Sequence, residues 1–307
     1  MKNIRIVFLG TPEFAVESLA ALVQAGFAVV AVVTAPDKPA GRGMKPGESA
    51  VKKFAVANNL PVLQPLKLKD PEFLDELRQF KADLQVVVAF RMLPELVWNM
   101  PPMGTINVHG SLLPQYRGAA PINRAIMNGE KETGVTTFKL KHQIDTGDIL
   151  LQEKLPIGEN ENAGELHDRM KVAGASLLVK TITGLLNNDI EETSQANIDP
   201  SLLKHAPKIF AEDCRIDFSL SAEEIHNLVR GLAPYPGAFT MLNEKILKIY
   251  RTELRLTTPA QTPGVHETDG KSRLSYACKD GYIDVKELQL EGKKRMLTED
   301  FLRGFRI

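Results

Sequence analysis

The segment Ile4-Arg5-Ile6-Val7-Phe8-Leu9-Gly10-Thr11-Pro12 decides the fold class. Ile4 to Leu9 is short and almost continuously apolar, as a strand buried on both faces should be. Gly10 ends it. Thr11 is placed to cap a following helix, and Pro12 suits a first helical turn, where no backbone N–H is needed. Phe14, Ala15, Leu19, Leu22 and Val23 then recur at helical spacing, and Gly26 stops the helix. Ala28 to Thr34 is a second apolar, β-branched run. Strand, helix and strand at this length make a βαβ unit with parallel strands.

Outward from this unit the pattern repeats. Leu84 to Phe90 is a third buried strand and Thr105 to His109 a fourth. Val135 to Leu140 and Ile149 to Lys154 read as strands flanking a polar loop, and Ala163 to Leu186 carries helical periodicity. An α/β catalytic domain with an open, mostly parallel, Rossmann-like sheet is therefore expected over residues 1–189. Residues 190–206 are polar and poor in large apolar side chains, and read as a linker. From 207 to 307 a short helix near Ser221 to Arg230 is followed by brief apolar runs at Ala238 to Leu242, Ile246 to Tyr250 and Tyr282 to Val285. Gly, Pro and Asp punctuate them, which predicts a small OB-like β-barrel domain.

Composition narrows the function classes. Lys+Arg and Asp+Glu both number 38 in the 307 residues, so any nucleic-acid surface must come from local clustering. Cys214 and Cys278 show neither CxxC spacing nor a partner cluster, which argues against a zinc site or a disulfide framework. No apolar run approaches the ~20 residues of a membrane helix, and no secretory signal pattern follows Met1. A cytoplasmic protein with no membrane partner is expected.

A βαβ opening invites a nicotinamide-cofactor reading, but Gly10-Thr11-Pro12-Glu13-Phe14-Ala15 lacks the G-x-G-x-x-G glycines that let a backbone approach a pyrophosphate. The chemistry instead concentrates in Asn107-Val108-His109-Gly110-Ser111-Leu112-Leu113-Pro114 and the following Gln115-Tyr116-Arg117-Gly118-Ala119-Ala120-Pro121. Asn107 and His109 share one face at the end of the fourth strand, where open α/β sheets bind ligands. An Asn amide can donate to an oxygen that becomes negative during acyl transfer. A His can stabilise the same oxygen or deliver a proton. Asp145, in Ile144-Asp145-Thr146-Gly147-Asp148, is the best candidate for the orienting acid. Taken singly, each is also an ordinary turn or surface residue.

The long motif from Asn107 to Pro121, followed by Asp145-Thr146-Gly147-Asp148, resembles the signature of the folate-dependent formyltransferases. Ile6 to Val16 resembles the branch of that family whose acceptor is methionyl-tRNA, and the likeness extends through Arg230 to Ala238 and Glu291 to Lys294. The resemblance implies a catalytic triad of Asn107, His109 and Asp145. It implies 10-formyltetrahydrofolate as donor, with no metal, and a folate site lined by Ser111, Leu112, Leu113 and Pro114 near the loop that carries Phe90 and Arg91. That loop departs from the family, which commonly has an aromatic followed by Gly; Arg91 either alters the pterin pocket or points to solvent.

The resemblance also implies initiator methionyl-tRNA as partner, with a sugar-nucleotide amine as the alternative acceptor, and action as a monomer. A Gly/Pro-rich basic loop after the second strand offers Lys38, Arg42 and Lys45 to phosphates. In the C-terminal part Lys293 and Lys294 are further RNA-binding candidates, although acidic and basic side chains there nearly balance. A catalytically idle RNA-binding protein and a formyl hydrolase are the rival classes. The intact triad counts against the first, and the basic loop and second domain against the other.

Overall fold

The computed structural model describes residues 4–40, 45–196 and 199–306. In chain order it begins with β1 (Arg5–Gly10), α1 (Glu13–Gln24) and β2 (Ala28–Val33). Strands β3 (Lys38–Ala40) and β4 (Lys45–Gly47) pair antiparallel and precede α2 (Ala50–Ala57), β5 (Val62–Leu63) and α3 (Pro71–Gln79). There follow β6 (Leu84–Val88), α4 (Glu95–Trp98), β7 (Thr105–His109), β8 (Arg117–Gly118), α5 (Pro121–Met127), β9 (Glu132–Lys139), β10 (Ile149–Pro156) and α6 (Ala163–Asn187). After β11 (His205–Ala206) and α7 (Ala222–Leu232) come β12 (Ala238–Leu242), β13 (Lys245–Arg255), β14 (His266–Thr268), β15 (Leu274–Ala277), β16 (Tyr282–Leu290), β17 (Met296–Leu297) and α8 (Thr298–Gly304).

Seven strands form the main sheet in the order β10-β9-β7-β6-β1-β2-β5. The pairs from β5 to β7 are parallel, and β9 joins β7 antiparallel. Both faces are covered. Val7, Leu9, Ala31, Val33 and Val87 pack with Phe73, Leu74 and Leu77 of α3, while Ile6, Phe8, Val86 and Ile106 are fully buried as well. This two-sided burial is why the strands read as continuous apolar runs. β2 and β6 flank β1 on opposite sides, so the connections leave in opposite directions and open a crevice at the carboxyl ends of β1 and β6.

Helix α1 differs from expectation at its start. Its N-cap is Pro12 and no side chain caps it, so Thr11 does not take that role. Its end is as expected. Gly26 at φ 76° donates to the Val23 carbonyl (3.1 Å) and Phe27 to that of Leu22 (3.1 Å), a Schellman closure that needs a left-handed residue. Gly10 is required by close approach, since a Cβ there would lie 2.8 Å from the Ala15 Cβ.

The chain divides into two compact units that interleave in sequence. One runs to Arg117 and adds Gly134–Leu155 and Asp168–Lys204; the other comprises Gly118–Thr133, Pro156–His167 and the chain from His205. Thus 118–133 and 156–167, expected within the catalytic domain, cluster with the C-terminal chain. The stretch read as a linker clusters with the first unit through Lys204. In the second unit a curled antiparallel sheet has the order β12-β13-β16-β15-β14, with β17 on β16. Register irregularities in β13 around Arg251 bend it. Helix α7, started by a Ser221–Glu224 capping box worth ~1 kcal/mol, buries Ile225, Val229 and Leu232 in that unit's core. Cys214 and Cys278 are buried there too, and burial pushes the Cys278 thiol up to about 11, so it is a packing group rather than a nucleophile. Among the described residues no helix is long and apolar enough to cross a membrane.

Candidate active site

The site lies at the carboxyl end of β7, within the first unit. Asn107 and His109 face the same way on this strand and register with Phe138 and Thr136 of β9. His109 is buried, with its ring edge-on to Phe138 at 6.4 Å. Its Nε2 lies 2.9 Å from the Tyr116 carbonyl. A carbonyl can only accept, so Nε2 carries a hydrogen and the tautomer is set. The other ring edge therefore faces Asp145, with Nδ1 3.9 Å from Oδ2. A proton arriving at Nδ1 would complete an imidazolium held between a carbonyl and a carboxylate.

Asp145 is 9% exposed and sits at φ 54°, a left-handed conformation that costs a non-glycine residue energy. The loop around it is tightly built. A Cβ on Gly147 would stand 1.5 Å from the Lys139 carbonyl oxygen, so no other residue fits there. Thr146 donates to the Gln143 carbonyl (3.0 Å), and Lys141 pairs with Asp148 (2.7 Å). From the far side of the sequence, Gln195 donates to the carbonyls of Asp145 (3.2 Å) and Gly147 (2.6 Å) and accepts from Arg117. Gln195 was legible only as one polar residue among many.

The loop after His109 is fastened from below. Thr136 Oγ1 donates to the Ser111 carbonyl (2.6 Å) and accepts from the Leu113 amide (3.1 Å) and from Gln152 (2.9 Å). Ser111 and Leu113 are themselves buried, so they shape the loop from inside, and Leu112 and Pro114 offer partial surface. Phe90 is partly buried against the core of the sheet. Arg91 does not simply reach into solvent. Its guanidinium donates to the Leu66 carbonyl (3.0 Å) and the Pro65 carbonyl, tying the loop after β6 to the loop after β5.

The remaining sequence candidates are dispersed. Lys38 and Lys45 lie on the β3–β4 pair, and Arg42 falls outside the described residues. The foot of that segment is anchored, because Lys52 and Gln64 bond to Asp37 and hold its carboxyl below the usual range, and Thr34 and Ser49 share a hydrogen bond of 2.7 Å. Lys293 and Lys294 are exposed between β16 and β17 in the second unit. Their neighbour Arg295 is already engaged with Glu287 and lies 4.2 Å over the Tyr250 ring.

At the carboxyl edge of the sheet Asn107 and His109 lie on β7, with Asp145 3.9 Å from the His109 ring, and sequence comparison gives the class. The formyl transferase model matches residues 4–182 and the formyl transferase C-terminal domain model residues 208–306, so the chain belongs to the formyl transferase family. Methionyl-tRNA formyltransferase of Bacteroides thetaiotaomicron is 49% identical, covering 100% of this chain and 97% of its own. That of Parabacteroides distasonis is 52% identical, covering 99% and 97%. The N-formyltransferase from Helicobacter canadensis, solved with folinic acid and dTDP-3-aminofucose, superposes with a TM-score of 0.67 over 95% of this chain and 100% of that one. At 23% identity this likeness is one of fold.

Proposed function

We propose that the chain transfers the formyl group of 10-formyltetrahydrofolate to the free amino group of initiator methionyl-tRNA, for translation initiation. The observation that carries the chemistry is the His109–Asp145 pair, 3.9 Å apart beside Asn107. The acceptor rests on the two methionyl-tRNA enzymes, 49% and 52% identical over nearly the full length. The alternative, a sugar-nucleotide amine, rests on fold likeness alone.

An α-amino group titrates at about 7.7–8.0, and esterification of its carboxylate lowers that, so the neutral nucleophile is plentiful near neutrality. Its nitrogen attacks the formyl carbon, forming a C–N bond and an oxyanion. The Asn107 amide donates to that oxygen, an interaction whose removal typically costs about 3–4 kcal/mol. The attacking nitrogen gives up a proton to the Nδ1 edge of His109, directly or through water, with the Asp145 carboxylate balancing the charge. The bond to the folate nitrogen then breaks, and that nitrogen takes the proton. Neither a metal nor a covalent enzyme intermediate is required. The donor site takes in Leu112 and Pro114, shaped from inside by the buried Ser111 and Leu113, and the loop that carries Phe90 and Arg91. Lys38, Arg42 and Lys45, and separately Lys293 and Lys294, meet RNA phosphates. The enzyme works as a monomer in the cytoplasm, where charged tRNA and reduced folate are found.

The test is formyl-methionine formation from 10-formyltetrahydrofolate and methionine-charged initiator tRNA, with a 4-amino sugar nucleotide as rival acceptor. Asn107→Ala should lower kcat about 10²–10³-fold. Formylated sugar without formylated tRNA would overturn the acceptor. Arg42→Ala should raise KM for the charged tRNA and leave donor affinity unchanged; equal loss of both would remove the RNA role from that segment.

A further inference from the structure

Asp145 faces His109 from a left-handed backbone position. Besides the bonds within its loop, a restraint comes from the distant Gln195. This side chain is 5% exposed. Its two Nε2 hydrogens go to the carbonyls of Asp145 (3.2 Å) and Gly147 (2.6 Å), on either side of Thr146. Its Oε1 accepts from Arg117 Nε (3.2 Å) and Nη2 (2.7 Å). Carbonyls only accept and a guanidinium only donates, so the amide has one possible orientation and its bonds cannot be exchanged by a flip. Gln195 is carried to this place by Thr193, whose N–H and carbonyl both pair with Ile149 at the start of β10 (2.9 and 2.8 Å).

Arg117 contributes more than a lock. It is half-buried, and burial lowers the pKa of its guanidinium while the nearby Asp145 charge opposes that effect. It also follows directly on Tyr116, whose carbonyl holds His109 Nε2. One chain of contacts thus runs from the His109 ring through 116–117 and Gln195 to the main chain of Asp145.

We propose that Gln195 is a positioning residue for formyl transfer, its amide, locked by Arg117, fixing the Asp145 carboxylate opposite His109. The proposal rests on the catalytic reading of Asp145. The bonds of Gln195 go to the main chain of the Asp145 loop and to Arg117. It acts by geometry, and small misplacements of a catalytic group cost up to about 10²-fold in rate.

The experiment compares Gln195→Met, Gln195→Glu and Asp145→Asn in the full chain, with kcat and both KM values measured across pH. Met keeps the volume without hydrogen bonds; Glu keeps an acceptor for Arg117 but cannot donate to the carbonyls. Both should lower kcat roughly 10–100-fold, leave KM for 10-formyltetrahydrofolate and for methionyl-tRNA within about threefold, and shift the pH–rate profile. Should the Met variant fail to fold, Gln195→Asn, which keeps the amide one carbon shorter, should show the same kcat-only loss. Wild-type kcat in a folded Met or Asn variant, with Asp145→Asn inactive, overturns the role of Gln195. An active Asp145→Asn overturns the catalytic reading itself, and with it this inference.

Discussion

At the scale of single residues, electrostatics and hydrogen-bond direction decide what each group can do. His109 illustrates this: a carbonyl on one nitrogen fixes the hydrogen there and leaves the other nitrogen facing Asp145. His226 is the contrasting case in the second unit. Its Nδ1 bonds to Thr252 Oγ1 (2.8 Å), and burial, with Arg230 nearby, pushes its pKa down. A histidine depressed in the folded state stays neutral there while the unfolded chain takes up a proton below about pH 6.5. Its contribution to stability is therefore intact above that pH and is lost progressively as pH falls from it. Between pH 7.5 and 5.5 the melting temperature of the wild type should fall further than that of His226→Gln. Parallel curves would show that His226 does not set the slope.

At the scale of elements, the site depends on a loop whose backbone path excludes side chains. The 1.5 Å approach between a Cβ on Gly147 and the Lys139 carbonyl leaves no room for even a methyl group. Gly147→Ala must therefore displace the loop, and Asp145 with it. The expected result is loss of more than about 10² in kcat, at little cost to donor binding. A variant with normal kcat would mean that the loop can rearrange without moving Asp145. The elements legible beforehand were those with a strong local period: β1, β2, β7, β12 and the long helix α6 all fall within a residue or two of their sequence reading. The short pieces β5, α4 and β17 were not legible, because two to four residues carry too little pattern to separate strand, helix and turn.

At the scale of the whole molecule, the two units share the chain in an interleaved way. Helix α5 belongs to the second unit, where Asn123 donates to the Gly231 carbonyl (2.7 Å) and a Cβ on Gly231 would press on Met127 at 2.5 Å. A protein cut at residue 206 would strip α5 of α7. Such a fragment should melt well below the full chain and lose cooperativity, as a calorimetric scan would reveal. An unchanged transition would show that 118–133 folds without its partner.

What the sequence by itself determined was everything carried by local period and by a long, dense motif. The buried parallel sheet, the Asn107–His109 face at its carboxyl edge and the Asp145 loop could all be read from spacing, because alternation along a strand and apolar burial are local properties. Resemblance through the Asn107 to Pro121 motif supplied the family. What only the tertiary structure decided were the pairings between distant residues: which way the His109 ring turns, that Arg91 braces the 65–66 loop, and that Gln195 reaches the carbonyls of Asp145 and Gly147. These bonds join positions tens of residues apart, and a polar side chain in a polar stretch gives no sign of its partner until the fold buries it and forces its hydrogen bonds to be met.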